Sequence, residues 1–392
     1  MAYTTDVVEL TRQLVQIRSL NPPGSEEACA RWLEAYLQSF GFTVKQVPFG
    51  EGRFNLVAEW HGEGEGEVLA FSGHMDTVPL GLAPWSVDPF LGEVREGRLY
   101  GRGSTDMKSG IAAFLVACIE SREALTRHTA GVRLLLTGGE ETGCDGARAL
   151  KQSVPGYLDG VGAMIVGEPT QNYPFVGHKG ALWLRGQAAG VTAHGSMPEA
   201  GVNAIYKIVD AIDKLRKFEL VHRHPLMGGA SMNVGTVQGG LNVNSVPDQA
   251  AFEVDLRTVP GMAHAELQAD LARLIGDDVS LAPFVDVPPL ENDELDPWIR
   301  RVFACCERFV GAIVPKVVPY FTDGSVLAPQ TRTIPVVILG PGEPQMMHKT
   351  DEYCRVDRLR EGVEVYRSVL ADWVSRVRAS EGNRAAGVAL AK

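Results

Sequence analysis

Several features that would classify this chain quickly are missing from its sequence. Its six cysteines, at 29, 118, 144, 305, 306 and 354, form no CxxC pair. Cys118 sits in the apolar run IAAFLVACI, where a buried free thiol is expected in place of a disulfide framework. No stretch of about 18 uninterrupted apolar residues offers a membrane span. The opening MAYTTDVVELTRQLVQIRSL lacks the basic and apolar regions of a signal peptide, so a cytoplasmic protein with no membrane partner is expected. No run of Lys and Arg offsets the net charge of -11, which argues against nucleic acid as a partner. GRGSTDMKSG fits neither GxxxxGK[ST] nor GxGxxG, removing P-loop and dinucleotide enzymes, and there are no internal repeats.

What is present is an ordinary globular composition, 45% hydrophobic and 22% charged over 392 residues. That length suits a large α/β domain with a smaller second one. Apolar residues recur at helical spacing over 5–40, and the strand-like FTVKQVPF follows Gly41. GEVLAFSGHMDTV reads as a buried strand ending in polar residues, where doubly wound sheets bind ligands. RLYGRGSTDMKSG opens a buried helix, GVRLLLTGGEETG repeats strand then acidic loop, and AMIVGEPT gives a third such end.

After about residue 178 the pattern changes. A strand in HKGALWLRGQAAG, a helix over 198–218, strands near SMNVGTVQGG and DQAAFEVDLRT, a helix over 263–276 and a strand over 278–285 make a β-α-β-β-α-β order. That order suggests an inserted ferredoxin-like domain. Helix then returns over 297–310, followed by the strand PVVILGPG and a final helix over 357–377. The expected fold is therefore a discontinuous doubly wound α/β domain, residues 1–177 and 290–392, interrupted by 178–289. The tail is expected to fray from about 379.

His74 and Asp76, Asp106, Glu140 and Glu141, Glu168 and finally His348 accumulate at the ends of these segments. Imidazole and carboxylate without thiolate suit a catalytic zinc site and also admit manganese or cobalt. Taken singly, each such residue is more often a cap or hydrogen-bonding group; the conjunction is what points to metal. Asp76 lies two residues after His74, so strand alternation aims both side chains the same way and lets the carboxylate orient the imidazole. Alone, His194 would be a surface or packing residue and Arg257 a surface ion pair.

The segments SGHMDTVP, LYGRGSTDMKSG, GGEETG, GEPT, TAHGSMPEAGVNAI, LNVNSVPD and GPGEPQMMHKTDEY span nearly the whole chain. In these, in this order, the sequence resembles the family of acetylornithine deacetylase, succinyl-diaminopimelate desuccinylase and carboxypeptidase G, dinuclear zinc hydrolases of peptidase family M20. The resemblance implies that His74 and Glu168 hold one metal ion, Glu141 and His348 the other, and Asp106 bridges both, with a water between. Three ligand carboxylates against two divalent ions leave one positive charge, a site that favours an anion. Glu140 would be the proton-transferring carboxylate and His194, often supplied across a dimer, the oxyanion stabiliser. Arg257 and Asn244 would bind the substrate carboxylate, the inserted domain would serve as lid and dimer contact, and the Asp106–Met107 peptide would be cis. The implied activity is hydrolysis of an N-acyl amino acid, with a carboxypeptidase G or dipeptidase type of exopeptidase as alternative. A non-catalytic binding or assembly protein would require damage to the ligands, and none is visible. YFTDGSVL and MMH depart from the segments expected of the desuccinylase, so the reaction is better defined than the substrate.

Overall fold

The computed structural model describes residues 3–328 and 334–389, with side chains described up to 375. The final helix, Val356–Ala389, runs on past 377–379, where its end and fraying are expected. The chain divides into two compact units. The first holds residues 1–177, 292–316 and 322–392, and the second 178–291 and 317–321. The short 317–321 segment is an addition to the expected insertion. It joins the second unit through a bridge from Val318 to His178 and an edge-on contact of Phe321 with Trp183.

The first unit is an α/β structure on a mixed six-stranded sheet, in spatial order Thr43–Gly50, Arg53–His61, Gly131–Thr137, Val68–His74, Val161–Val166, Val336–Ile338. The last four in that order run parallel, and the first two form an antiparallel hairpin at the edge. The sheet is thus mixed, its four parallel strands of the doubly wound kind with an antiparallel hairpin added at one edge. The continuous apolar runs of its central strands are buried, as parallel strands covered on both faces must be.

The helical periodicity over 5–40 belongs to two helices, Val7–Gln16 and Glu27–Ser39. NPPG at 21–24 separates them, since two prolines remove amide donors and cannot sit inside a helix. The helix Ser109–Glu120 is buried all round except at its last residue. It approaches the sheet so closely that a Cβ on Gly110 would lie 2.0 Å from the Gly167 carbonyl oxygen. Glycine there brings the helix that follows Asp106 against the strand end that precedes Glu168. All six cysteines are free thiols. Among the described residues no helix is long and apolar enough to cross a membrane.

The second unit is a four-stranded antiparallel sheet, in order Ser231–Gly239, Gln249–Thr258, Gly180–Ala189, Ser280–Val287. The helices Ala204–Arg216 and His264–Ile275 bury their apolar faces on one side of it. The first helix begins later than 198 because Asn203 caps it, accepting from the amides of Ile205 and Tyr206.

Candidate metal centre

Three adjacent parallel strands of the first unit deliver side chains to one place. His74 ends the 68–74 strand, Glu140 and Glu141 follow the 131–137 strand, and Glu168 follows the 161–166 strand. Asp106 arrives from the turn before the buried helix, and its peptide to Met107 is cis, as expected. His348 arrives from the loop after Val336–Ile338, with a left-handed φ of 60°. Such a backbone persists in a non-glycine residue only where surrounding structure enforces it.

Two groups of possible ligands result, and they share one residue: His74, Asp106 and Glu168, then Asp106, Glu141 and His348. His74 Nε2 lies 3.1 Å from Asp106 Oδ1 and 3.6 Å from Glu168 Oε1. His348 Nε2 lies 3.4 Å from Asp106 Oδ2 and 2.9 Å from Glu141 Oε2. The two oxygens of Asp106 therefore face opposite groups, the arrangement a bridging carboxylate needs. Glu140, buried beside them, belongs to neither group.

The electrostatics suit cations. Burial, joined by neighbouring carboxylates and opposed by His74, pushes the Glu140 and Glu168 carboxyls well above their ordinary range. Burial and Asp106 push Glu141 up to about 7 against the pull of His348. Burial also works against the charged form of Asp106, but hydrogen bonds with His348 and His74 outweigh it and hold that carboxyl low. Hydrogen bonds with Asp106 and Glu141 raise His348 to about 10. Protein groups alone thus draw protons into the cluster, and Glu141 Oε1 is buried with no hydrogen-bond partner. An oxygen- and nitrogen-rich donor set with surplus negative charge and a bare carboxylate oxygen fits divalent ions.

The surroundings hold the ligands in place. His74 Nδ1 lies 3.0 Å from the Asp76 carbonyl oxygen, so in the neutral ring it carries the proton and leaves the Nε2 lone pair toward Asp106 and Glu168. Sequence alternation assigns that contact to the Asp76 carboxylate, which stands 3.6 Å away. The carboxylate instead accepts from Asn21 Nδ2 at 2.9 Å and from the amides of Glu140 and Glu141, both at 3.3 Å. One side chain thus turns the loop that carries both glutamates. Glu352 does the same for Asp106. Its buried carboxylate accepts from the amides of Gly103, Thr105 and Asp106 and pairs with Arg102 at 2.6 Å. Sequence reasoning missed Asn21, Arg102 and Glu352. For two of them there was a signal: Arg102 lies inside LYGRGSTDMKSG and Glu352 four residues after His348 inside GPGEPQMMHKTDEY.

His194, Asn244 and Arg257 belong to the second unit. Two loops are tied together there by Gly195 N donating to the Asn244 carbonyl and Val246 N donating to the Ala193 carbonyl, both at 2.8 Å. His194 and Asn244 are therefore neighbours, and both are exposed. His194 Nδ1 accepts from the Ser196 amide at 3.2 Å, which puts the proton of the neutral ring on Nε2. Arg257 lies on the helix-free face of the sheet. Its Nε donates to Asp255 at 3.1 Å, and its guanidinium carbon stands 5.9 Å from the ring centre of Trp183 and 6.0 Å from that of Phe321. The ion pair that is the ordinary reading of this arginine is present.

Residues 70–372 match the model of Peptidase family M20/M25/M40. The chain belongs to this family. A probable succinyl-diaminopimelate desuccinylase of Staphylococcus epidermidis is 32% identical, the alignment covering 95% of this chain and 98% of the relative. An acetylornithine deacetylase of Vibrio campbellii is 29% identical over 85% and 88% of the two chains. An M20 metallo-carboxypeptidase of Sulfolobus solfataricus shares the fold, with a TM-score of 0.77 over 93% of this chain and 98% of its own at 16% identity.

Proposed function

We propose that this M20 hydrolase, a metal-dependent enzyme acting on amide bonds, removes the acyl group from an N-acyl amino acid using two divalent ions. The observation that carries this is the pair of ligand groups sharing Asp106, with the unliganded Glu140 beside them. Zinc is the proposed metal, with cobalt or manganese as substitutes; His74 and Glu168 would hold one ion, Glu141 and His348 the other, and Asp106 both. Bound there, two ions supply polarisation of the scissile carbonyl and a water acidified toward neutral pH. Glu140 takes the proton of the attacking water and passes it to the departing nitrogen. His194 donates its Nε2 proton to the oxygen that becomes negative. Arg257, its Nε edge held by Asp255, and Asn244 receive the substrate carboxylate.

A homodimer formed through the second unit, read as a ferredoxin-like lid, is part of the proposal, and the places of these residues support it. Arg257 pairs with Ala181 at one end of the sheet, whereas His194 lies five residues past Ala189, which pairs with Gln249 at the other end. Eight strand residues separate those ends, roughly 26 Å, more than one N-acyl amino acid can span. If both act on one substrate, they come from different copies. The edge strand Ser231–Gly239, with exposed Val237, and the exposed Tyr206 and Val209 of the helix Ala204–Arg216 would give such a dimer an unpaired strand edge and apolar side chains to cover. Six free thiols suit the proposed cytoplasmic location.

Chelation followed by metal restoration tests the reading. Turnover of acyl-amino acids should vanish with metal and return with zinc; turnover unchanged after complete chelation would overturn it. Dipeptides assayed beside the acyl-amino acids separate the deacylase from the exopeptidase of carboxypeptidase or dipeptidase type, which the shared fold of the Sulfolobus enzyme keeps as the alternative.

A further inference from the structure

We propose that Asp323 is a positioning residue for Glu140, an inference that rests on Glu140 being the proton carrier. Asp323 is buried at the start of a single helical turn, Gly324–Leu327, far along the chain from the glutamates. Its Oδ2 accepts a short hydrogen bond from the hydroxyl of Thr137, the last residue of the 131–137 strand. The Cys144 thiol lies against the same carboxylate. Thr137 and Cys144 are the two ends of the turn TGGEETGC, which carries Glu140 and Glu141 at its crest. Asp323 therefore closes the base of that turn.

The other restraints act elsewhere on it. Asp76 takes the amides of Glu140 and Glu141, and Asn55 takes the Gly138 amide at 3.0 Å. Asn55 also donates to the Gly146 carbonyl at 2.9 Å, and the Gly146 amide donates to the Gly138 carbonyl at 3.0 Å, so the flanks of the turn are tied there; Asp323 adds the tie at Thr137 itself and at the Cys144 side chain. Cys144, with φ of 65°, is where the chain reverses into the helix Asp145–Ser153, so movement of that residue would swing the crest.

Stability alone does not account for an acid here. Asp323 Oδ1 is buried with no hydrogen-bond partner, and a buried carboxylate with a bare oxygen is costly. Its charge also opposes those of Glu140 and Glu168. Held at both Thr137 and Cys144, the carboxylate is placed to fix the turn that carries Glu140. Sequence reading noted YFTDGSVL only as a departure from the desuccinylase.

The test compares Asp323→Asn, Thr137→Val and Glu140→Gln in the metal-loaded full chain, with metal content measured on each. Asp323→Asn should keep two metal ions and near wild-type KM, lower kcat by about tenfold or more, and shift the acidic limb of the pH profile. Thr137→Val should show part of the same kcat loss, and the double variant should be no worse than Asp323→Asn, since both cut one path. Should Asp323→Asn fail to fold, Thr137→Val decides: a wild-type kcat overturns the proposal. If Asp323→Asn has wild-type kcat and pH profile while Glu140→Gln is inactive, the proposal alone fails. If Glu140→Gln is fully active, the role of Glu140 fails and the proposal with it.

Discussion

The two units keep their candidate functional groups in opposite conditions. In the first, most of the groups are buried, and His74, Asp76 and Asp106 are tied to named donors and acceptors. In the second, His194 and Asn244 are exposed on tied loops and Arg257 is only part-buried. The contrast separates chemistry that must be preorganised within one chain from contacts completed by something else. A buried cluster of acids costs stability and is worth keeping only where cations arrive. An exposed histidine with a fixed tautomer costs little, as the role proposed for it across a partner copy requires.

The largest effect expected is on the buried side. Glu140→Gln should lower kcat by about 10²- to 10⁴-fold with metal content retained, because only proton transfer is removed; a loss of metal instead would make Glu140 a ligand and redraw the cluster. On the exposed side, His194→Ala should cost about 10²- to 10³-fold in kcat. Mixing His194→Ala with Glu140→Gln chains under exchange conditions should restore about a quarter of wild-type activity, since half the random dimers carry one intact site. No recovery from stable dimers would place His194 and Glu140 action in the same chain. Arg257→Gln should raise KM by about tenfold or more for acyl-amino acids and have little effect on analogues whose carboxylate is replaced by an amide. An equal effect on both would reduce this arginine to its pairing with Asp255.

The smallest effect tests the packing of the first unit. Burial raises the Glu343 carboxyl to about 7 against hydrogen bonds from the Arg355 amide and Thr105. Its folded pKa exceeds its unfolded one, so the protonated form is favoured by folding. Its contribution is complete below the unfolded pKa and declines as pH rises through about 7. Glu343→Gln should flatten that fall, by on the order of 1–3 kcal/mol across the window, in denaturant titrations at pH 5 and 8. An unchanged slope would assign the pH dependence to other groups.

How much of this was legible follows from how each residue acts. His74, Glu140, Glu141 and Glu168 stand just after apolar runs, so strand pattern and strand-end convergence exposed them. Asp106 and His348 lie in loops and needed family segments to be singled out. Asn21, donating to the Asp76 carboxylate, and Glu352 and Asp323, accepting from amides and a hydroxyl, act through contacts distant in sequence, and a lone acid or amide carries no mark of the partner it will meet. The break at 21–24 was visible as NPPG but was outweighed by continuous apolar spacing. The mixed sheet escaped because FTVKQVPF reads as a strand in either direction.

The carboxylate of Glu352 grips an amide 246 residues earlier, at Asp106, and His348 lies just before it. During synthesis, His74, Glu141 and Glu168 leave the ribosome long before either arrives. The group of His74, Asp106 and Glu168 is thus synthesised first, while the His348 of the second group and the Glu352 carboxylate that holds the Asp106 amide come far later. Ordering of the shared Asp106, and with it the metal loading proposed above, therefore waits for residues 348–352.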